Sequence, residues 1–145
     1  MQLEAKKECW DSLRSIVGEI PLENIVLAGD LNVTSDQSEK KGRSRVQDPS
    51  REWLEDFILE WDLLDMKPGK GKYTCTNKRI GPGHIAARLD KFLFQSSLLL
   101  LGLEGKTEIL PFGASYHKPI SLDLKEELNL GPIPFRFRPL WIKQE

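Results

Sequence analysis

Residues 25–32, Ile-Val-Leu-Ala-Gly-Asp-Leu-Asn, constrain this chain more than any other stretch. Residues 25–28 form a short apolar run with two β-branched members, which suits a strand buried on both faces rather than a helix. Gly29 ends the run, and without a side chain it lets the backbone turn sharply or come close to whatever lies above the strand. Asp30 and Asn32 follow at a spacing of two, which in an extended segment projects both side chains to the same side. A carboxylate and an amide held there suit a metal-bound water or a phosphate. They also suit a plain polar turn closing a strand.

The flanking segments predict a layered α/β arrangement. Ahead of the run, Leu3, Cys9, Trp10, Leu13, Ile16 and Val17 recur at three- and four-residue steps, predicting an amphipathic helix over residues 3–17 with Gly18 at its C-cap and Pro21 barring continuation. Residues 34–47 are polar and read as a flexible loop. Its Lys40, Lys41, Arg43 and Arg45 could contact a phosphate backbone or serve only to solvate the loop. Asp48-Pro49 reads as a helix start, and Trp53, Leu54, Phe57, Ile58, Trp61 and Leu64 give a second amphipathic helix whose aromatics belong to the core. Residues 73–76 favour a strand and residues 77–83 a hairpin connection. Residues 88–94 form the returning strand, with Asp90, Phe92 and Phe94 on one face. An acid among aromatics needs a partner, and His117 is the natural one. Two more strands follow at 108–112 and 116–124, then a brief helix at 126–130. The tail broken by Gly131-Pro132-Ile133-Pro134 is apolar at Phe135, Phe137, Leu140, Trp141 and Ile142.

A formal net charge of −1 gives no bulk pull towards nucleic acid, so binding to DNA would rest on local patches. Cys9 and Cys75 make no Cys-x-x-Cys pair, which predicts a reducing intracellular setting, nuclear or cytoplasmic. The N-terminus has no signal-peptide hydrophobic region, and the longest aliphatic run, residues 98–101, is far short of the ~20 residues that span a bilayer, so no membrane segment is predicted.

Three motifs stand in order: Gly29-Asp30-Leu31-Asn32, Arg88-Leu89-Asp90-Lys91-Phe92-Leu93 and Ser115-Tyr116-His117-Lys118-Pro119-Ile120. Together they resemble the endonuclease/exonuclease/phosphatase superfamily, and most of all the apurinic-type endonuclease domain of LINE-type, plant-like retrotransposons. Tyr73-Thr74-Cys75-Thr76-Asn77 is similar to that branch's Tyr-Thr-Trp-Thr-Asn, and residues 131–137 resemble its lead-out towards a reverse transcriptase. The resemblance covers the family's C-terminal half. It implies the second half of a two-sheet, DNase I-like α/β sandwich: one mixed or antiparallel sheet, two covering helices and an exposed sheet face prone to self-association. Residues 1–124 would be the partial domain and 125–145 the apolar tail.

The family chemistry is Mg2+-dependent hydrolysis of a DNA phosphodiester, in which positioning and charge stabilisation do most of the work. Carried over, Asp30 matches the acid that handles the attacking water, and Asn32 the amide that holds the phosphate and that acid. Asp90 matches the carboxylate that orients a histidine, and His117 that histidine, which meets the phosphoryl oxygen. Thr74 matches a phosphate contact of the retrotransposon branch. Two departures predict a chain inactive by itself. Tyr116 stands where the family has a metal-binding aspartate, and a phenol of pKa near ~10 is neutral at pH 7 where hard Mg2+ asks for anionic oxygen. The family's principal metal-binding glutamate, with an asparagine and a tyrosine, belongs to an N-terminal half that this sequence does not match. A non-catalytic nucleic-acid-binding remnant or a gene fragment without selected activity are the other expectations.

Overall fold

In a computed structural model, the structure describes residues 2–21, 23–42, 46–111 and 113–126. The expected helix at 126–130 and tail at 125–145 lie outside them but for their first residues, as do Arg43, Arg45 and the strand end at Phe112. The described residues form a mixed α/β fold with three α-helices and three small antiparallel sheets, rather than one sheet and two helices.

Helix α1 (Leu3–Glu19) runs through Gly18, and its last turn closes with the Ile20 N–H on the Val17 carbonyl, one residue before Pro21. It buries Trp10 and Val17. Strand β1 (Val26–Asp30) follows, then a 3-10 turn (Gln37–Glu39) and the two-residue strand β2 (Lys40–Lys41). This region is more structured than a flexible loop, because Val33, Thr34 and Glu39 are buried and anchor it. Helix α2 (Arg51–Glu60) is shorter than its apolar pattern suggested. Asp62 takes a positive φ of 52°, and the chain leaves as strand β3 (Leu63–Asp65), so Leu64 is a strand residue.

Strands β4 (Cys75–Thr76) and β5 (Ala86–Ala87) form the predicted hairpin, and β6 (Asp90–Gln95) is the returning strand. A five-residue helix α3 (Ser96–Leu100), not expected from the sequence, precedes β7 (Leu103–Ile109), which pairs over its whole length with β8 (Ile120–Glu126).

The first sheet has the order β1-β6-β3, the second β2-β5-β4, and the third is the β7-β8 hairpin. The break between the first two falls at Arg88–Leu89. There the N–H groups of Leu89 and Asp90 turn to the hydroxyl of Thr74, at 3.0 and 3.1 Å, instead of continuing a ladder. One face of the first sheet meets the helices: Leu93 and Leu63 pack with Trp10, Val17, Val33, Leu54 and Phe57, and the rings of Trp10 and Phe57 meet edge-on at 5.6 Å. On the other face Phe94 is fully buried against Gly105 of β7, where an added Cβ would stand 3.1 Å from the ring. The apolar opening therefore lies less on a sheet face than along the outer edge of β1. Ile25 and Leu31 spend their backbone bonds on Gln95 and Leu89, so the groups of Val26, Ala28 and Asp30 between them point away from β6. Among the described residues no helix is long and apolar enough to cross a membrane.

Candidate functional site

Antiparallel pairing of β1 with β6 places Asp30 directly across from Asp90, on the same side of the sheet. Two carboxylates so placed repel, and the group between them is an imidazole. Residues 115–118 run beside β4, with Cys75 and His117 forming an antiparallel bridge, the Thr76 N–H on the Tyr116 carbonyl and the Lys118 N–H on the Thr74 carbonyl. From there His117 reaches Asp90, its Nδ1 standing 2.9 Å from Oδ2, while its Nε2 lies 3.9 Å from Asp30 Oδ2. The first contact is a hydrogen bond. The second is too long for one and leaves a gap that a water could bridge. The Nδ1–H on Asp90 fixes the ring so that Nε2 addresses that gap.

The three residues differ in access. The side chain of Asp90 is 15% exposed, those of His117 and Asp30 37% and 44%. A solute can reach Asp30 and the outer ring nitrogen, while the orienting acid stays sheltered.

The other expected residues take different places. Asn32 does not extend the strand: it has a φ of 51°, and the Asp30 carboxylate turns back to accept its N–H at 2.8 Å. The Asp30 carboxylate and the Asn32 backbone are thus joined by a tight turn in place of strand alternation, a conformation asparagine tolerates better than most residues. The amine of Lys6 holds the Asn32 carbonyl at 2.8 Å. Thr74 is fully buried, and its hydroxyl accepts the N–H groups of Leu89 and Asp90, so it touches the site through the backbone under Asp90. Tyr116 is 62% exposed, with the Lys78 amine 5.3 Å from its ring centre. Cys75, opposite His117, has its thiol pKa pushed up by burial and by the charges of Asp90 and Asp30.

Donor chemistry decides whether Mg2+ fits. Asp30, Asp90 and His117 each bring one ligand atom within 4.8 Å of the others, but one of these atoms is a nitrogen. Asp90 is engaged by His117, and the phenol at position 116 faces an ammonium. Asp30 already accepts the Asn32 N–H on Oδ1 and has only Oδ2 left to offer, too little for a hard cation that takes six oxygens in octahedral geometry. These residues do not make a resident Mg2+ site.

Two features of this region escaped sequence reasoning. Asn77 organises the hairpin, its amide donating to the Gly83 carbonyl at 2.7 Å while its carbonyl accepts from Arg79 and Ile85. Beneath Asp90, Glu39 and Asp65 gather Arg88 and Lys91 into a buried charge cluster, with the half-exposed Lys67 at its rim. Its only sequence signal was the pair of cations flanking Asp90 in a strand that had to be buried. No protein-family model matches the chain, and no curated protein matches it.

Proposed function

We propose that the array Asp30–His117–Asp90 is half of a phosphodiester-handling site of the endonuclease/exonuclease/phosphatase kind. In this reading the fold is the second half of a two-sheet DNase I-like sandwich, and the ancestral reaction is Mg2+-dependent cleavage of DNA in a retroelement. The observation that carries it is His117 bound at 2.9 Å to a sheltered carboxylate and facing a second, accessible one across 3.9 Å. With a proton on both ring nitrogens, His117 would donate its Nε2–H to a phosphoryl oxygen, and Asp30 stands ready to align or deprotonate a water. Asn32 closes the turn beside them.

The chain is proposed to bind DNA and not to cut it. Nothing among the described residues supplies the oxygen-rich cation site that the chemistry needs to offset the charge gathering on phosphate. The outer edge of β1 is where a complementary half or a second copy would pair, and Val26 there is 38% exposed. A purely binding role is favoured by one further observation. Lys41 and Arg79 line one open hollow with Ile80, Pro82 and His84, close to the hairpin that carries Thr76.

The test is plasmid nicking together with DNA binding at several salt concentrations. Binding that weakens steeply with salt, drops in His117→Ala but not in Asp30→Ala, and comes without nicking in Mg2+ or Mn2+ is the expected result. Chelator-sensitive nicking abolished by Asp30→Ala would contradict the inactive reading. Absence of salt-sensitive binding would remove the DNA role altogether.

A further inference from the structure

Residues 88–91 are gripped from two sides. In front, the Thr74 hydroxyl takes the amides of Leu89 and Asp90. Behind, Glu39 takes almost everything else. Its Oε1 accepts from Arg88 Nε at 2.9 Å, from Arg88 Nη2 and from Lys67 Nζ at 2.7 Å; its Oε2 accepts from Lys91 Nζ at 2.8 Å and the Ser35 amide at 2.6 Å. The Glu39 carbonyl also accepts the Arg88 N–H at 2.9 Å. Asp65 takes the far side of the same guanidinium. Lys91 and Arg88 are only 1% and 3% exposed.

Such a cluster is a poor device for stability alone, since taking Glu39, Asp65, Arg88 and Lys91 out of water can cancel their mutual attraction and apolar residues of similar size would often serve as well. What it holds is specific. Arg88 and Lys91 bracket Asp90, two residues before it and one after, and Asp90 is the residue whose carboxylate orients His117.

We propose that Glu39 is a positioning residue for the Asp90–His117 pair: by holding Arg88 and Lys91 together it fixes the backbone from which Asp90 reaches His117 Nδ1. Asp90 is the first residue of β6, where the ladder with β1 ends and only Thr74 holds its N–H, so the carboxylate of Glu39 adds a grip from behind. The functional meaning rests on the phosphodiester reading of the pair, but the geometry is testable without turnover or DNA.

The experiment is nitrogen-15 NMR of the full chain, following the His117 ring tautomer and the exchange rate of its Nδ1 proton. The wild type is expected to show the Nδ1–H tautomer with slow exchange. Glu39→Gln should quicken that exchange at least about tenfold while the methyl signals of Val33, Leu54 and Leu93 stay in place, because local release of the pair leaves the core intact. If the single variant unfolds through its unpaired buried cations, Glu39→Gln with Lys91→Met relieves part of that excess charge and is expected to fold with the fast exchange retained. Unchanged tautomer and exchange in either folded variant would overturn the proposal, as would a wild type lacking the Nδ1–H tautomer. A chain that fails to bind DNA but shows this response would sink the phosphodiester reading and leave the positioning role of Glu39 standing.

Discussion

Glu39 shows how far one residue's chemistry depends on its neighbours. Burial opposes its ionisation, but hydrogen bonds from Lys67 and Lys91 and the charge of Lys91 outweigh it and hold its pKa down to about 2, from an ordinary 4.5. The folded chain thus binds this proton less readily than the unfolded chain, and the stability gained is complete above pH 4.5 and is lost as pH falls towards about 2. The difference is worth on the order of 3 kcal/mol. Urea unfolding across that acidic window should show a falling midpoint in the wild type and a flatter profile, from a lower starting point, in Glu39→Gln. Equal slopes would mean that other carboxylates carry the acid sensitivity. Lys91 is the counterpart: burial pushes its pKa down, and Glu39 is what keeps a cation tolerable there.

At the scale of elements, Thr74 decides where one sheet stops and the next begins. Thr74→Val keeps the shape and removes the acceptor for two buried amides, each worth about 1–3 kcal/mol when left unpaired. The unfolding free energy should fall by about 2–6 kcal/mol in that variant and by far less in Thr74→Ser, which keeps the oxygen. Similar losses in both would assign the effect to packing. This junction also marks the limit of sequence reading. Helix α1 was legible because its apolar period is local, and the Asp90–His117 contact because an acid on a buried face demands a partner; strand β1 stands where its apolar run put it, but as an edge strand with Val26 and Ala28 exposed rather than one buried on both faces. Helix α2 was read too long because Trp61 and Leu64 continue its apolar pattern, although Asp62 turns with a positive φ. Helix α3 is too short to show a period, and β7 begins five residues before its expected start because Gly105 and alternating charges blur its pattern. Glu39 joins cations 28 to 52 positions away, and no window of sequence spans them.

For the whole molecule, the phosphodiester reading proposed above turns on the distinction between a damaged site and an incomplete one. Tyr116→Asp restores an anionic oxygen near His117 but supplies no further ligand, so it alone should leave nicking at background. The same substitution joined in one chain to an N-terminal half of the endonuclease/exonuclease/phosphatase type should nick DNA in the presence of Mg2+. Turnover by Tyr116→Asp alone, lost in Asp30→Ala, would show the site complete but for one residue. The open edge of β1 gives the added half a place to pair.

The ionic cluster under β6 also has a consequence for how the chain finds its pairing. Side chains alternate along a strand, so a slip of one residue exchanges its two faces. With β6 in register, Lys91 meets Glu39 and Leu93 enters the core. Slipped one way, Asp90 is driven against Glu39, acid against acid; slipped the other, Phe92 takes the lysine's place and both Glu39 and Asp65 lose a cation. An apolar strand of Leu, Phe and Leu would accept either error with little complaint. The charges make the mispaired states intolerable, and so act as a proofreading device for a short strand that must deliver one carboxylate to one imidazole.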